Sequence, residues 1–348
     1  MTTPKASAPI LVWGAGAIGG SLGRAFIRAG REVVFVDRDA AHVAAINATG
    51  LRIVGPIVED TVPAKAFLPD TVAGEYETIF LCVKAHHTRE AATALKPHLA
   101  AGGCVVSAQN GLNELAIAEI VGTERTVGCF VNFGADYLEP GVVHYSGIGA
   151  VVIGELDGQR TPRIEALHQL MKTFSPAAVL TGNIWGYLWG KMIYGSLLFG
   201  TALTNDSIAD VLADPRHRPL LTRLGNEVGA VAKASGVTLE GFDGFDPTAF
   251  APGASAAALE KSFDDMVAHN RRSAKSHSGI WRDLAIRKRK TEVDSQILPI
   301  VEIGRRLGTP APITARVVEM IHEIEQGKRP MADENLVELA RELTGVTA

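Results

Sequence analysis

The sequence predicts an α/β protein: a doubly wound, mostly parallel sheet over residues 1–182, then an all-helical domain over residues 183–348. Three observations carry this. An apolar run at 10–13 leads straight into Gly14-Ala15-Gly16-Ala17-Ile18-Gly19 and then into a helical pattern, as when a fully buried strand opens a βαβ unit. Short apolar runs and helical segments then alternate up to residue 107, which argues for a parallel sheet with helices on both faces. Beyond Asn183 the apolar spacing turns helical, with Trp185, Leu188, Trp189, Met192, Ile193 and Leu197 on one stripe.

The elements follow in order. A strand at 10–13 and the glycine turn precede a helix at 17–29, which Gly30 stops as the residue after its C-cap. The strand at 33–36 ends at Asp37. A helix at 40–47, strands at 51–54 and 78–83, a helix at 90–99 and a strand at 104–107 continue the alternation. Strand-like runs at 127–133, 141–145 and 150–153, separated by turns such as Glu139-Pro140-Gly141, read as antiparallel additions closing the first domain. A helix at 162–174 and a strand at 177–181 complete it. Helices are expected at 207–213, 216–235, 256–270, 292–307 and 313–325, with a Gly-, Asp- and Pro-rich loop over 241–253.

At 348 residues the chain is long enough for two cores, and 47% hydrophobic with 21% charged residues is a globular composition. A net charge of −4 gives no reason to expect nucleic acid or an anionic membrane surface. The basic run Arg287-Lys288-Arg289-Lys290 reads as a solvated helix face. Cys82, Cys104 and Cys129 lie in β-like apolar runs without a CxxC pair, and read as small buried hydrophobes in a reducing cytoplasm. The four-residue apolar run before Gly14 is too short for a signal peptide. Residues 180–205 carry one charge, Lys191, and could span a bilayer by length. Their five glycines, three threonines and central lysine point instead to a buried helix of a soluble core. His86, His87 and His277 lack metal-ligand spacing, so no metal is expected.

The glycine turn is the first candidate site. Gly14 permits the tight turn, Gly16 lets the backbone approach a pyrophosphate, and Gly19 lets helix and strand pack closely. The free amides of Ala17 and Ile18 and the positive helix end then meet the phosphates. Asp37, at the end of the second strand, suits the ribose hydroxyls and favours NAD; Arg38 beside it suits a 2′-phosphate and keeps NADP open. Asp37 also has the alternative of an ordinary helix N-cap. Lys84 and Asn110 follow strands on the edge where such sheets bind ligands. Lys191, isolated in an apolar helix, is a candidate to polarise a carbonyl and donate a proton, or else a lysine reaching for the surface. Glu292, at a helix start, can orient a substrate hydroxyl or simply complement the helix dipole.

Taken together, these residues resemble the ketopantoate reductase family (2-dehydropantoate 2-reductases) over nearly the whole chain. The likeness rests on residues 14–20, Gly50-Leu51-Arg52-Ile53, Val83-Lys84-Ala85, Gln109-Asn110-Gly111, Asn132-Phe133-Gly134, Pro140-Gly141-Val142, Trp189-Gly190-Lys191-Met192 and Thr291-Glu292-Val293-Asp294. It implies a Rossmann-type fold and hydride transfer from nicotinamide to the keto carbon of a 2-oxo acid. Lys191 would be the catalytic lysine, Glu292 a substrate-binding glutamate, Asn110 the asparagine between nicotinamide and substrate, and Lys84 a cofactor-side lysine. Ser278 opens the segment standing for the family's substrate-side serines, which departs from the family's Ser-Ser-Met-x-x-Asp as Ser278-Gly279-Ile280-Trp281-Arg282-Asp283 and lies one residue further from Glu292. A homodimer is also implied.

The departures are Gly195 and Phe199, where the family has asparagines, and Asp37, where NADP-using members have an arginine. Losing polar groups from the pocket walls changes which 2-oxo acid is accepted. Ketopantoate is the default substrate by resemblance, a bulkier or more apolar 2-oxo acid its rival. A dinucleotide sensor without turnover is the alternative of a different class.

Overall fold

β1 (Ile10–Trp13) is buried at every position, and so is β2 (Val33–Val36), joined to it through α1 (Ala17–Arg28). The structure is a computed structural model and describes residues 8–272 and 276–343. By its internal packing the chain divides into two units, Met1–Ile184 and Trp185–Ala348.

In the first unit α2 (Ala40–Thr49), β3 (Leu51–Val54), β4 (Asp60–Val62), β5 (Lys65–Phe67) and β6 (Tyr76–Leu81) follow. Then come α3 (Thr88–Leu95), β7 (Leu99–Ser107), α4 (Asn113–Val121) and β8 (Thr126–Val131). β9 (Gly134–Glu139), β10 (Val142–Gly147), β11 (Val151–Glu155), α5 (Pro162–Phe174) and β12 (Val179–Leu180) complete it. The main sheet has the order β12-β11-β8-β7-β6-β1-β2-β5, and only the β11–β8 pair is antiparallel.

Its two faces bury alternate residues, as the strand period requires. Ile10, Val12, Phe35, Phe80 and Val106 pack with Leu22 and Phe26 of α1 and with Ile164 and Met171 of α5. Leu11, Val34, Ile79, Leu81 and Val105 pack on the other face with Leu95 of α3 and Ile117 of α4. Gly23 lets α1 lie tight on the sheet: a Cβ there would stand 2.4 Å from the Phe35 ring.

Several expected elements are placed differently. β3 leaves the main sheet for a second one, ordered β4-β3-β10-β9, in which β10 runs parallel to β3 and antiparallel to β9. The runs expected as antiparallel additions therefore divide: β8 extends the parallel sheet, β11 pairs antiparallel with it, and β10 joins the second sheet. Partner choice depends on crossovers, which apolar runs do not encode. β4 and β5 are three-residue strands, too short to show a period, and α4 was not foreseen either.

The second unit is helical: α6 (Ile184–Thr201), which starts on the last residue of the first unit, then α7 (Ile208–Ala213), α8 (Arg218–Ala234) and α9 (Ala256–Arg272). α10 (Gly279–Ala285), α11 (Val293–Gln296), α12 (Leu298–Arg306), α13 (Pro312–Glu325) and α14 (Glu334–Leu343) follow. The single helix expected over 292–307 is broken between Gln296 and Leu298, where Pro299 removes the amide a continuous helix needs. α10 and α14 were not anticipated. The basic run is exposed, as expected, but lies outside any helix, and Arg287 and Arg289 each reach the buried Asp283 carboxylate at 2.9 Å, so it is a solvated loop, half of it ion-paired, instead of a helix face. The loop expected at 241–253 holds a tight turn, in which Phe242 and Phe245 exchange backbone hydrogen bonds around Asp243 (φ +47°) and Gly244 (φ +83°), the type I′ combination.

Candidate functional site

The glycine turn is built as its sequence requires. Gly14 adopts φ +102°, and a Cβ there would stand 2.9 Å from the backbone after β6. A Cβ on Gly19 would fall 1.9 Å from the Gly14 carbonyl oxygen. Gly16 differs, since nothing lies within 4 Å of where its side chain would begin. It is the N-cap of the twelve-residue α1 and supplies no side-chain cap, so the half-buried first turn at Ala17 and Ile18 offers amides and open space together. That combination fits a diphosphate.

Ala15 is held through both of its backbone groups. Its N–H donates to Asp37 Oδ2 at 2.9 Å, and its carbonyl lies 3.0 Å from Nε2 of the buried His42. The amide of Gly141 donates to His42 Nδ1 at 2.8 Å, so the ring proton sits on Nε2 and donates to Ala15. His42 thereby ties the turn to the β9–β10 corner of the second sheet. Asp37 Oδ1 accepts from the Asp39 amide at 3.0 Å. The N-cap of α2 is Asp39, not Asp37: its Oδ1 accepts from the amides of Ala41 and His42, and its Oδ2 from the Tyr137 hydroxyl. The N-cap alternative for Asp37 is corrected accordingly. A carboxylate has about four lone-pair sites, so Asp37 is fixed in place with acceptor capacity left over.

Arg38 is exposed, with Nη1 3.5 Å from His87 Nδ1, which brings the end of β2 beside the loop after β6. Lys84 opens that loop and is exposed. Asn110 is exposed after β7, and its carbonyl accepts from Asn113 Nδ2 at 2.7 Å. Behind it runs a chain of bonds: Gln109 Nε2 donates to the Val83 carbonyl and to Thr88 Oγ1, each at 2.8 Å, and Thr88 donates to Asn113 Oδ1 at 2.9 Å. The loops carrying Lys84 and Asn110 are thus one fixed unit at the C-terminal sheet edge.

Beneath them lies a residue that sequence reasoning missed. Glu114, on α4, is fully buried beside the Ser107 hydroxyl. Burial pushes its carboxyl up to about 8, its own backbone amide and then the Ser107 hydroxyl offsetting part of the effect. The free thiols of Cys82 and Cys129 are pushed up by burial too, Cys129 also by Glu114, and Cys104 rises to about 11.

In the second unit Lys191 lies on α6. Most of that helix is buried, and its half-buried positions include Tyr187, Lys191, Tyr194, Gly195 and Leu198, a single stripe at helical spacing. Burial holds the Lys191 ammonium down at about 8, while the Asp243 carboxylate works the other way. Asp243 comes from the type I′ turn, and its loop lies close to α6 because Gly190 has no side chain: a Cβ there would stand 2.6 Å from the Glu240 carbonyl oxygen. An Asp-Gly pair was the signal available for that turn. Phe199 is fully buried and lines no open face, which corrects its reading as a pocket wall.

Glu292 is half-buried and is the N-cap residue of α11 without capping it through its side chain. Its neighbours are anchored to α13. The Thr291 amide and hydroxyl donate to Glu325 Oε1 at 2.7 and 2.8 Å, and Asp294 Oδ1 lies 2.7 Å from His322 Nε2. Ser278 is buried and caps α10, accepting from the Trp281 amide at 3.1 Å; its own hydroxyl proton is left to donate. Among the described residues no group of three or more His, Cys, Asp or Glu gathers for a metal, and no helix is long and apolar enough to cross a membrane.

A parallel sheet opened by this glycine turn and followed by a helical unit defines the class, a Rossmann-type α/β protein. The family model described as ketopantoate reductase PanE/ApbA matches residues 10–158, and its C-terminal counterpart matches residues 183–325. The chain belongs to the ketopantoate reductase family and is an oxidoreductase acting on a CH–OH group. The 2-dehydropantoate 2-reductase of Mesorhizobium japonicum is 26% identical over 340 residues, covering 90% of this chain and 97% of its own length. A PanE/ApbA family ketopantoate reductase from Ralstonia eutropha matches in structure with a TM-score of 0.78 and 26% identity, over 92% of this chain and 99% of that one. A D-mandelate dehydrogenase bound to NADH and anilino(oxo)acetate has a TM-score of 0.77 over 92% and 99%; at 20% identity this is a likeness of fold.

Proposed function

We propose that the chain reduces a 2-oxo acid to the 2-hydroxy acid with a nicotinamide dinucleotide, NAD in preference to NADP. In this reading residues 1–182 hold the cofactor and residues 183–348 carry the substrate chemistry. The observation that carries it is the placement of Lys191: one ammonium, held down to about 8 by burial, on the accessible stripe of an otherwise apolar helix. The family membership supports the same reaction.

The nicotinamide supplies the hydride that adds to C2 of the 2-oxo acid. Lys191 donates a hydrogen bond to the keto oxygen and passes its proton there as negative charge develops, and solvent reprotonates the amine afterwards. Glu292 accepts from a substrate hydroxyl or keeps Lys191 charged. The first turn of α1 binds the diphosphate, and Gly16 leaves it room. Asp37, fixed by the Ala15 and Asp39 amides, accepts from the ribose hydroxyls and repels a 2′-phosphate, which is the support for NAD. Asn110 stands where nicotinamide and substrate meet, and Ser278 donates on the substrate side. Ketopantoate is the substrate the family name suggests, and the solved D-mandelate dehydrogenase motivates testing aryl 2-oxo acids beside it.

Steady-state oxidation of NADH and NADPH against ketopantoate and a panel of 2-oxo acids tests this. The expected result is turnover with at least one acid and a higher kcat/KM for NADH. Cofactor binding without oxidation across the panel would make the protein a sensor. Lys191→Ala is expected to lower kcat by about 10²-fold or more with the Kd for NADH unchanged; near-normal turnover in that variant removes Lys191 from the mechanism.

A further inference from the structure

We infer that Gly195 sets the substrate class, opening a space one turn from Lys191 that takes 2-oxo acids with a branched or aryl apolar side chain. The inference rests on the reading of Lys191 above. Positions 191 and 195 lie on the same face of α6, about 6 Å apart along the axis. A side chain starting at Gly195 would meet nothing within 4 Å, so the helix presents bare backbone beside open space.

The surrounding stripe is apolar or already engaged. Leu198 is half-buried on the same face. The Tyr194 ring packs against Phe245, with centroids 5.2 Å apart, and its hydroxyl accepts from Asn270 Nδ2 at 3.2 Å. The hydroxyls nearby turn back into the helix: Ser196 donates to the Ile193 carbonyl at 2.7 Å, and Thr201 to the Leu198 carbonyl at 2.9 Å. Consequently α6 at Gly195 itself offers a hydroxylated substrate no side chain to bind, while it leaves room for apolar bulk. A wall without a hydrogen-bonding side chain leaves a hydroxyl placed against it unpaired, and gains from burying a larger apolar group.

The test compares kcat/KM for phenylglyoxylate, 3-methyl-2-oxobutanoate and ketopantoate in the wild-type protein, Gly195→Ala, Gly195→Asn and Gly195→Leu, with the same dinucleotide. The wild type is expected to favour the two apolar acids by tenfold or more. Asn is expected to reduce that preference at least tenfold, and Leu to exclude phenylglyoxylate first, both through KM with kcat for the best substrate little changed. Ala, adding one carbon, controls for folding. A wild type that prefers ketopantoate, or a preference unchanged in the Asn and Leu variants, overturns the inference while leaving the reductase reading intact. Equal loss on all three acids overturns it as well, because a general structural defect does not choose between substrates. No turnover of any acid by the wild type removes the reductase reading, and this inference with it.

Discussion

Lys191 and His42 each do work that their residue type alone does not announce. With its ammonium held down at about 8, Lys191 is mostly protonated at neutral pH and able to give the proton up. Its titration predicts that reduction slows as pH rises through about 8 and that the reverse oxidation speeds up over the same range. A kcat profile flat from pH 7 to 9.5 in both directions would assign the proton to another group. His42 accepts from Gly141 and donates to Ala15, so His42→Ala leaves both backbone groups without their partner. The expected loss is about 1–3 kcal/mol of stability together with a weaker Kd for NADH, read by denaturant titration and by fluorescence. Unchanged NADH affinity would make the histidine structural only. Lys191 was legible in the sequence because a lone charge in an apolar stretch stands out. His42 was not, since both its partners are backbone atoms, one of them 99 residues away.

Two glycines on α6 make opposite predictions at the scale of the element. A Cβ at Gly190 would meet the Glu240 carbonyl oxygen at 2.6 Å, whereas one at Gly195 meets nothing. Gly190→Ala is expected to destabilise by about 1–3 kcal/mol, because backbone must move. Gly195→Ala is expected to stabilise by about 0.5–1 kcal/mol through helix propensity. Thermal midpoints moving in the same direction would contradict the packing of the 240–247 loop on α6. The helical pattern of this segment was plain from its apolar spacing, but which glycine is a contact and which an opening depends on a loop some 50 residues on. The 291–294 segment is similar: a helix start at Glu292 was read from sequence, yet it is Glu325 and His322 of α13 that hold the segment on both sides of Glu292.

Stability of the whole molecule carries the signature of Glu114. Its folded-state carboxyl is raised from 4.5 to about 8, so the folded chain binds a proton over a range where the unfolded chain has lost it. The contribution is full below about pH 4.5 and is lost as pH rises to about 8, on the order of a few kcal/mol, after which the curve flattens. Glu114→Gln is expected to remove most of this slope, read as thermal midpoint against pH; a wild-type slope of the opposite sign would mean that the carboxyl is ionised in the folded protein. What the sequence determined by itself was local: the strand–turn–helix around Gly14, the acid ending β2, the helical character after Asn183, and a lysine set among apolar residues. These depend on spacing within one or two turns of chain, which periodicity records. The tertiary structure alone decided that β3 and β10 form a second sheet, that Asp37 and His42 hold the two backbone groups of one residue, that Phe199 is core, and that Gly195 faces open space. Each is a meeting of groups far apart in sequence, fixed by packing and by the need of buried polar atoms for partners.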